Sequence, residues 1–162
     1  MTPAERQALF QRYDAGPQLV RAALARVPNE AREWRPAPGK WSVHEIIVHC
    51  ADSETNAAMR IRYLVGEASP LIAGYDQDRW ARDMQYHALP MEASLAQLDA
   101  VRAWTSVFIR TLPESAWKRS GRHTEIEAPY TADMWLTIYA EHLEIHARQI
   151  ARNVDAWKAA RA

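Results

Sequence analysis

Six histidines in a chain of 162 residues are the side chains best suited to chemistry, because histidine is the commonest metal ligand and the usual acid–base near neutral pH. Their helical phase sorts them. Near the C-terminus Trp135, Ile138, Tyr139, His142, His146, Ile150 and Trp157 recur at i, i+3, i+4 and i+7 spacing, so they share one inward face. His142 and His146 stand four positions apart, about 40° of rotation, which lets both rings address one point. Two imidazoles side by side in a core are costly unless their ring nitrogens are satisfied. The pair is therefore either a metal or catalytic site or a hydrogen-bonded core pair.

The pair is not a zinc-protease motif, which needs Glu directly after the first His, whereas this run reads His142-Leu143-Glu144-Ile145-His146. Glu144 points roughly 200° away from His142 on the helix and is expected to face solvent. A ferritin-type di-iron site fails as well, for want of an inward Glu-x-x-His. A third ligand must come from another helix, and His49 is the candidate. It sits at the edge of an apolar stripe made by Val43, Ile46, Ile47, Cys50, Ala57 and Ile61. Three neutral imidazoles leave one tetrahedral position open, the pattern of a catalytic zinc site. Glu45 and Asp52, one turn before and after His49, are either acid–base or ligand-orienting carboxylates, or charges on a solvated face. His123, in an irregular stretch, stands either over a pocket mouth as an acid–base candidate or on a plain surface loop. His44 projects away from the stripe, and His87 falls at a helix end, where histidine caps carbonyls. Cys50, mid-stripe, reads as a small core residue.

These residues need helices to position them. Ala, Leu, Glu, Arg and Gln dominate between the proline clusters, and no convincing strand alternation occurs. Thr2-Pro3-Ala4-Glu5 opens the first helix with a capping box. Gly16-Pro17 is expected to break or kink it before it continues to about Val27-Pro28. Ser42 and Glu45 form a second capping box, with Trp41 stapled onto Ile46, and that helix should run to about Gly66. A shorter helix is expected near Asp76 to Tyr86, a third long one from Met91 to Leu112, and a helical turn from Pro113 through Trp117. Lys118 to Pro129 is irregular, and Thr131 caps a last long helix reaching Lys158. The expectation is an all-α, antiparallel four-helix bundle with additional short helices, one domain over residues 1–162.

Composition narrows the partners. Twenty basic residues balance twenty acidic ones, without the basic excess that nucleic-acid phosphates require, so nucleic acid binding is disfavoured. The N-terminus lacks the apolar core of a secretory signal, and no stretch is long and apolar enough for a membrane span. The lone Cys50 suits a reducing compartment, so a cytoplasmic protein with a small-molecule substrate is expected. Seven Trp against two Phe hint at pocket walls or interfaces, because the indole N–H wants a partner.

The run Pro38-Gly39-Lys40-Trp41-Ser42-Val43-His44-Glu45-Ile46-Ile47-Val48-His49-Cys50-Ala51-Asp52-Ser53-Glu54 resembles the signature of the DinB-like (YfiT-like) metal-dependent hydrolase superfamily. The likeness continues through Arg60 and Arg62, Gly66 to Pro70, and Asp76 to Trp80, and closes on His142, His146, Gln149 and Ile150. It implies a four-helix bundle, often homodimeric, with a three-His site for a divalent transition metal, usually zinc or nickel, carried onto His49, His142 and His146. It further implies an enzyme acting on a small electrophilic substrate, as a hydrolase or as a transferase using a low-molecular-weight thiol. A metal-binding or dimeric interaction protein without turnover is the alternative. Many relatives carry His-x-Glu-x-Gly before the last helix, whereas this chain has His123-Thr124-Glu125-Ile126-Glu127-Ala128.

Overall fold

The computed structural model describes residues 1–162. Four long helices carry the architecture: α1 (Pro3–Leu24), α2 (Val43–Gly66), α4 (Met91–Arg110) and α6 (Ala132–Ala159). Two short helices, α3 (Gln77–Asp83) and α5 (Glu114–Trp117), and two 3₁₀ turns fill the connections. Both capping boxes form as the sequence predicts, at Thr2/Glu5 and at Ser42/Glu45. Each leaves two otherwise orphaned backbone N–H groups satisfied, which sets where the helix begins. No helix is long and apolar enough to cross a membrane.

The long helices pack in the cyclic order α1, α6, α2, α4, so chain-consecutive α1 and α2 lie diagonally opposite. Side-chain pairings give the directions. Arg6 meets Asp133 and Arg12 meets Glu144, so α1 and α6 run the same way. Arg21 meets Asp99 while Asp14 meets Arg110, so α1 and α4 are antiparallel. Trp135 reaches the Ala57 carbonyl while Asn153 reaches that of Trp41, so α2 and α6 are antiparallel too. That antiparallel contact is the one that carries the histidines.

Gly16-Pro17 does not break α1, which is continuous through both residues. Proline removes the N–H that would serve the carbonyl four residues back. That carbonyl belongs to Tyr13, and the Arg102 guanidinium of α4 donates to it from 2.7 Å instead. Gly16 allows α6 to approach closely: a Cβ there would stand 2.9 Å from Leu143 Cδ1. Gly16→Val is therefore expected to lower stability by about 1–3 kcal/mol despite its better backbone entropy. Urea unfolding midpoints of the two proteins measure it.

Three very short strands, absent from the sequence reading, form a small sheet: β1 (Leu71–Ile72), β2 (Ser120–His123) and β3 (Tyr130–Thr131). β1 and β2 pair in parallel, with Ile72 opposite His123, and β2 pairs antiparallel to β3. Segments of two to four residues contain no period to read, so tertiary contact alone reveals them. At Gly121 a Cβ would come within 2.6 Å of the Pro70 carbonyl oxygen, so this register depends on glycine.

Two large apolar clusters make up most of the core, and a third, small one joins Val48, Ala81 and Tyr86. Of the two large ones, one is built on Tyr13, Ile61, Trp135 and Tyr139, the other on Ile46, Leu98, Leu143 and Ile150. On α2 the break falls between Ala51 and Ala57, on α4 between Leu98 and Ile109, and on α6 between Ala140 and Leu143. Glu54, Arg102 and His142 occupy that break. The bundle thus carries a polar layer across its middle.

Candidate metal centre

His49 of α2 and His142 and His146 of α6 converge in this layer. Ring centroids are 4.8 Å apart for His49–His146, 5.6 Å for His49–His142 and 4.6 Å for His142–His146. One nitrogen from each ring lies within 4.8 Å of the other two. His49 is 2% exposed and His146 9%, so both rings are largely withdrawn from solvent. Trp41 closes the trio on one side, its ring 4.6 Å from that of His49.

The environment holds two of the three rings, His49 and His146, as neutral donors of lone pairs. Burial, reinforced by the two neighbouring rings, holds His49 well below the usual histidine range. Burial and His142 bring His146 down to about 4. The Nδ1–H of His142 donates to Glu54 Oε1 at 2.8 Å, and that of His146 to Gln149 Oε1 at 2.9 Å. With Nδ1 engaged in this way, each ring has Nε2 left for the site. His49 Nδ1 is buried without any hydrogen-bond partner. A buried nitrogen without a partner beside converging lone pairs is unfavourable on its own and fits a divalent cation. Metal-bound histidines characteristically pass their other N–H to a carboxylate or carbonyl, as His142 and His146 do here.

Glu54 is the residue the sequence reading missed. It is fully buried and pairs with buried Arg102, whose Nε stands 2.6 Å from Glu54 Oε2. Burial pushes its carboxyl up, but the Arg102 charge and the His142 N–H outweigh this and hold it below the ordinary carboxylate value. Arg102 also donates to the Tyr13 and Tyr139 carbonyls, and its guanidinium lies over the Tyr13 ring. A signal was present: Ile47, Cys50, Glu54, Ala57 and Ile61 share one stripe, and Leu95, Leu98, Arg102, Thr105 and Ile109 repeat the same spacing on α4. An acid and a base each interrupt an apolar stripe at the same position.

From the trio opens a cavity of about 550 Å³, also lined by Arg60, Tyr75, Tyr139, His123, Asp76, Asp78 and Glu125. Of the three acid–base candidates, only His123 lines it. It is brought there by β2, which no helical pattern foretold. Glu45 lies elsewhere. It caps Ser42, pairs with Arg35, and lines a separate cavity of about 710 Å³ with Trp41 and His87. Asp52 accepts the Tyr86 hydroxyl at 2.6 Å, anchoring the 3₁₀ turn at Tyr86–Ala88 to α2. Both carboxylates hold the fold around the site instead of facing into the trio's cavity.

The other expectations divide similarly. His44, expected at the surface, is buried and donates Nε2–H to the Leu89 carbonyl at 2.8 Å. His87 meets the Ser42 hydroxyl at 2.7 Å and not a helix-end carbonyl. Glu144 is tied down by Arg12 from α1 instead of facing open solvent. Cys50 is buried in the core, where burial pushes its thiol pKa up and makes it inert as a nucleophile.

Residues 12–150 match the family model described as DinB superfamily. The chain belongs to the DinB superfamily. A relative in Oceanobacillus iheyensis, named "Putative metal-dependent hydrolase OB0782", is 31% identical over 135 residues, covering 83% of this chain and 77% of that one. The YfiT protein of Bacillus subtilis, with the same form of name, is 28% identical over 112 residues, 69% of this chain and 63% of its own. Among solved structures, YfiT superposes with a TM-score of 0.87 at 22% identity, covering 94% of this chain and 87% of that one. Its description is "a probable metal-dependent hydrolase with an unusual four-helix bundle topology". A mycothiol-dependent maleylpyruvate isomerase superposes with a TM-score of 0.73 at 16% identity, covering 93% of this chain and 63% of that one. At these identities the two structures bear on the fold, and the four-helix DinB bundle is that fold.

Proposed function

We propose that this single-domain DinB protein is a metal-dependent enzyme acting on a small electrophilic substrate, with His49, His142 and His146 holding a divalent transition ion, zinc or nickel. The observation that carries the reading is the convergence of three imidazole nitrogens at the end of a cavity large enough for a small molecule. An ion held by three neutral ligands keeps a position open and supplies the acidity that makes water or a thiol nucleophilic near neutral pH. The chain's own residues supply the rest. Glu54 and Gln149 hold the His142 and His146 rings in the tautomer that binds metal. Trp41 packs against the His49 ring on one side. His123 is the acid–base candidate that faces the substrate space. The metal-dependent hydrolase names of the relatives and the mycothiol dependence of one structural neighbour support the two nucleophiles, water and a low-molecular-weight thiol. The lone buried Cys50 fits the reducing cytoplasm. A homodimer belongs to the same reading, and the exposed Trp104 and Val107 on α4 supply apolar surface for it.

The test is a panel of small electrophiles offered to zinc- and nickel-loaded protein, with and without bacillithiol, mycothiol or glutathione. Thiol-dependent consumption identifies a transferase, and thiol-independent product a hydrolase. Metal-loaded protein that turns over nothing on a broad panel overturns the enzyme reading and leaves a metal-binding protein.

A further inference from the structure

Among the polar side chains in the trio's cavity, two hydrogen-bond donors, Arg60 and His123, contribute neither a metal-facing nitrogen nor an ion pair. Arg60 of α2 donates Nη1 to the Tyr139 hydroxyl at 2.9 Å and Nη2 to the Ala73 carbonyl at 2.6 Å. These two neutral acceptors fix the guanidinium at the cavity wall, and no carboxylate stands within ion-pair distance of it. Arg6, Arg12, Arg35, Arg102 and Arg110 each pair with a carboxylate, and Arg60 has none. Tyr139 also ties Arg60 to the trio, its ring centroid lying 5.8 Å from that of His142.

His123 is the second. The Glu125 backbone N–H donates to its Nδ1 at 3.1 Å. With Nδ1 engaged as acceptor, the neutral ring carries its proton on Nε2. Burial and the nearby Arg60 charge keep the ring neutral by lowering its pKa. The residue is buried against Tyr130, and no protein acceptor meets its Nε2. The Ile72 to His123 register holds it in place, since the Thr124 N–H donates to the Ile72 carbonyl directly beyond it.

A guanidinium without an ion-pair partner and a neutral N–H donor lining one cavity are complementary to an anionic oxygen acceptor, and the flat fork of arginine matches a carboxylate best. Asp76, Asp78 and Glu125 also line the cavity and oppose anions there, least for a ligand with one negative charge held directly on Arg60 and most for one with several. We propose that Arg60 and His123 form a subsite for a single carboxylate on the small-molecule substrate, anchoring that molecule beside the three histidines. The inference names the substrate class of the cavity and so rests on the reading above, although neither residue belongs to the trio.

Propionate and propionamide, matched in shape but not in charge, are the probes. They are titrated into the metal-free 162-residue chain labelled with ¹⁵N. The side-chain spectra should show His123 as the Nε2–H tautomer. Propionate should shift the His123 Nε2 and Arg60 Nε signals saturably, and propionamide should not. Arg60→Met should weaken propionate roughly tenfold or more, with Arg60→Lys intermediate because it keeps the charge but not the fork. His123→Phe should weaken binding, and His123→Gln, which keeps an N–H donor, should restore much of it. Backbone spectra confirm folding, and the Lys and Gln variants stand in if Met or Phe is not tolerated. An equal response to both probes, no saturable shift, or unchanged binding in the Arg60 variants overturns the subsite. Because the measurement contains no metal, its failure leaves the three-His reading standing, and failure to load metal leaves the subsite test intact.

Discussion

Protein produced with zinc or nickel in the medium is expected to hold about one transition ion per chain, and His49→Ala, His142→Ala and His146→Ala should each lose it. Each ring contributes one of only three converging nitrogens, so no single loss can be absorbed by a spare ligand. The ion should also stabilise the fold, because the trio joins α2 to α6 and exists only when both are packed. At free metal near a hundred times Kd the gain is about 2.7 kcal/mol. For a chain of this length that is a rise in Tm of roughly 5–10 °C, reversed by a chelator. Metal analysis gives the stoichiometry, and melting curves with and without chelator give the stabilisation. Equal, negligible metal in wild type and variants sinks the centre. A Tm that ignores the chelator would mean that any ion present sits elsewhere. Glu54→Gln provides a finer probe, because it removes the charge that accepts from His142 while preserving shape. Metal affinity there should fall about 10–100-fold.

Removal of either partner of the buried Glu54–Arg102 pair is expected to cost about 3–5 kcal/mol, because the survivor becomes an uncompensated buried charge. Glu54 is 0% exposed and Arg102 2%, so neither can recover water without opening the bundle. The double variant Glu54→Leu/Arg102→Leu should be more stable than either single variant, since apolar replacements of similar volume tolerate the interior. It should not return to the wild-type value. Pro17 leaves the Tyr13 carbonyl without its helical donor, and Arg102 supplies the substitute. Leucine leaves that acceptor unpaired, at about 1–3 kcal/mol. Denaturant unfolding of the four proteins forms a double-mutant cycle. A favourable coupling of several kcal/mol is the expected result, and strictly additive losses would refute the pairing. Metal content separates structure from site: the double variant should fold and still bind metal weakly, because His142 has lost the acceptor that orients it.

Much of this protein was legible one helix at a time. The capping boxes at Thr2/Glu5 and Ser42/Glu45 mark helix starts from local chemistry alone, and the structure places α1 and α2 there. The inward phase of His142 and His146 follows from a 3.6-residue repeat, and His49 lies on the edge of a readable stripe. Both are properties of a single helix, so they need no knowledge of its neighbours. The resemblance to the DinB family, read from the same segments, agrees with the family match over residues 12–150.

What required the tertiary structure was every feature whose meaning depends on a second element. Gly16-Pro17 reads locally as a helix break. It becomes a packing point only when Leu143 closes on the glycine and Arg102 takes the carbonyl that proline released. Glu45 and Asp52 look like free carboxylates beside His49 until Arg35 and Tyr86 claim them. The strand that delivers His123 is four residues long and acquires its direction from β1 and β3. Glu54 and Arg102 each read as an interruption of an apolar stripe. Packing α2 beside α4 turns the two interruptions into one pair, and packing α6 against α2 gives that pair His142 to hold. The amino-acid sequence by itself determined the helices and the phase of their histidines, because backbone capping and side-chain periodicity are local. Which carboxylate serves those histidines, and what faces them across the cavity, the tertiary structure decided, because burial and charge pairing exist only between packed elements.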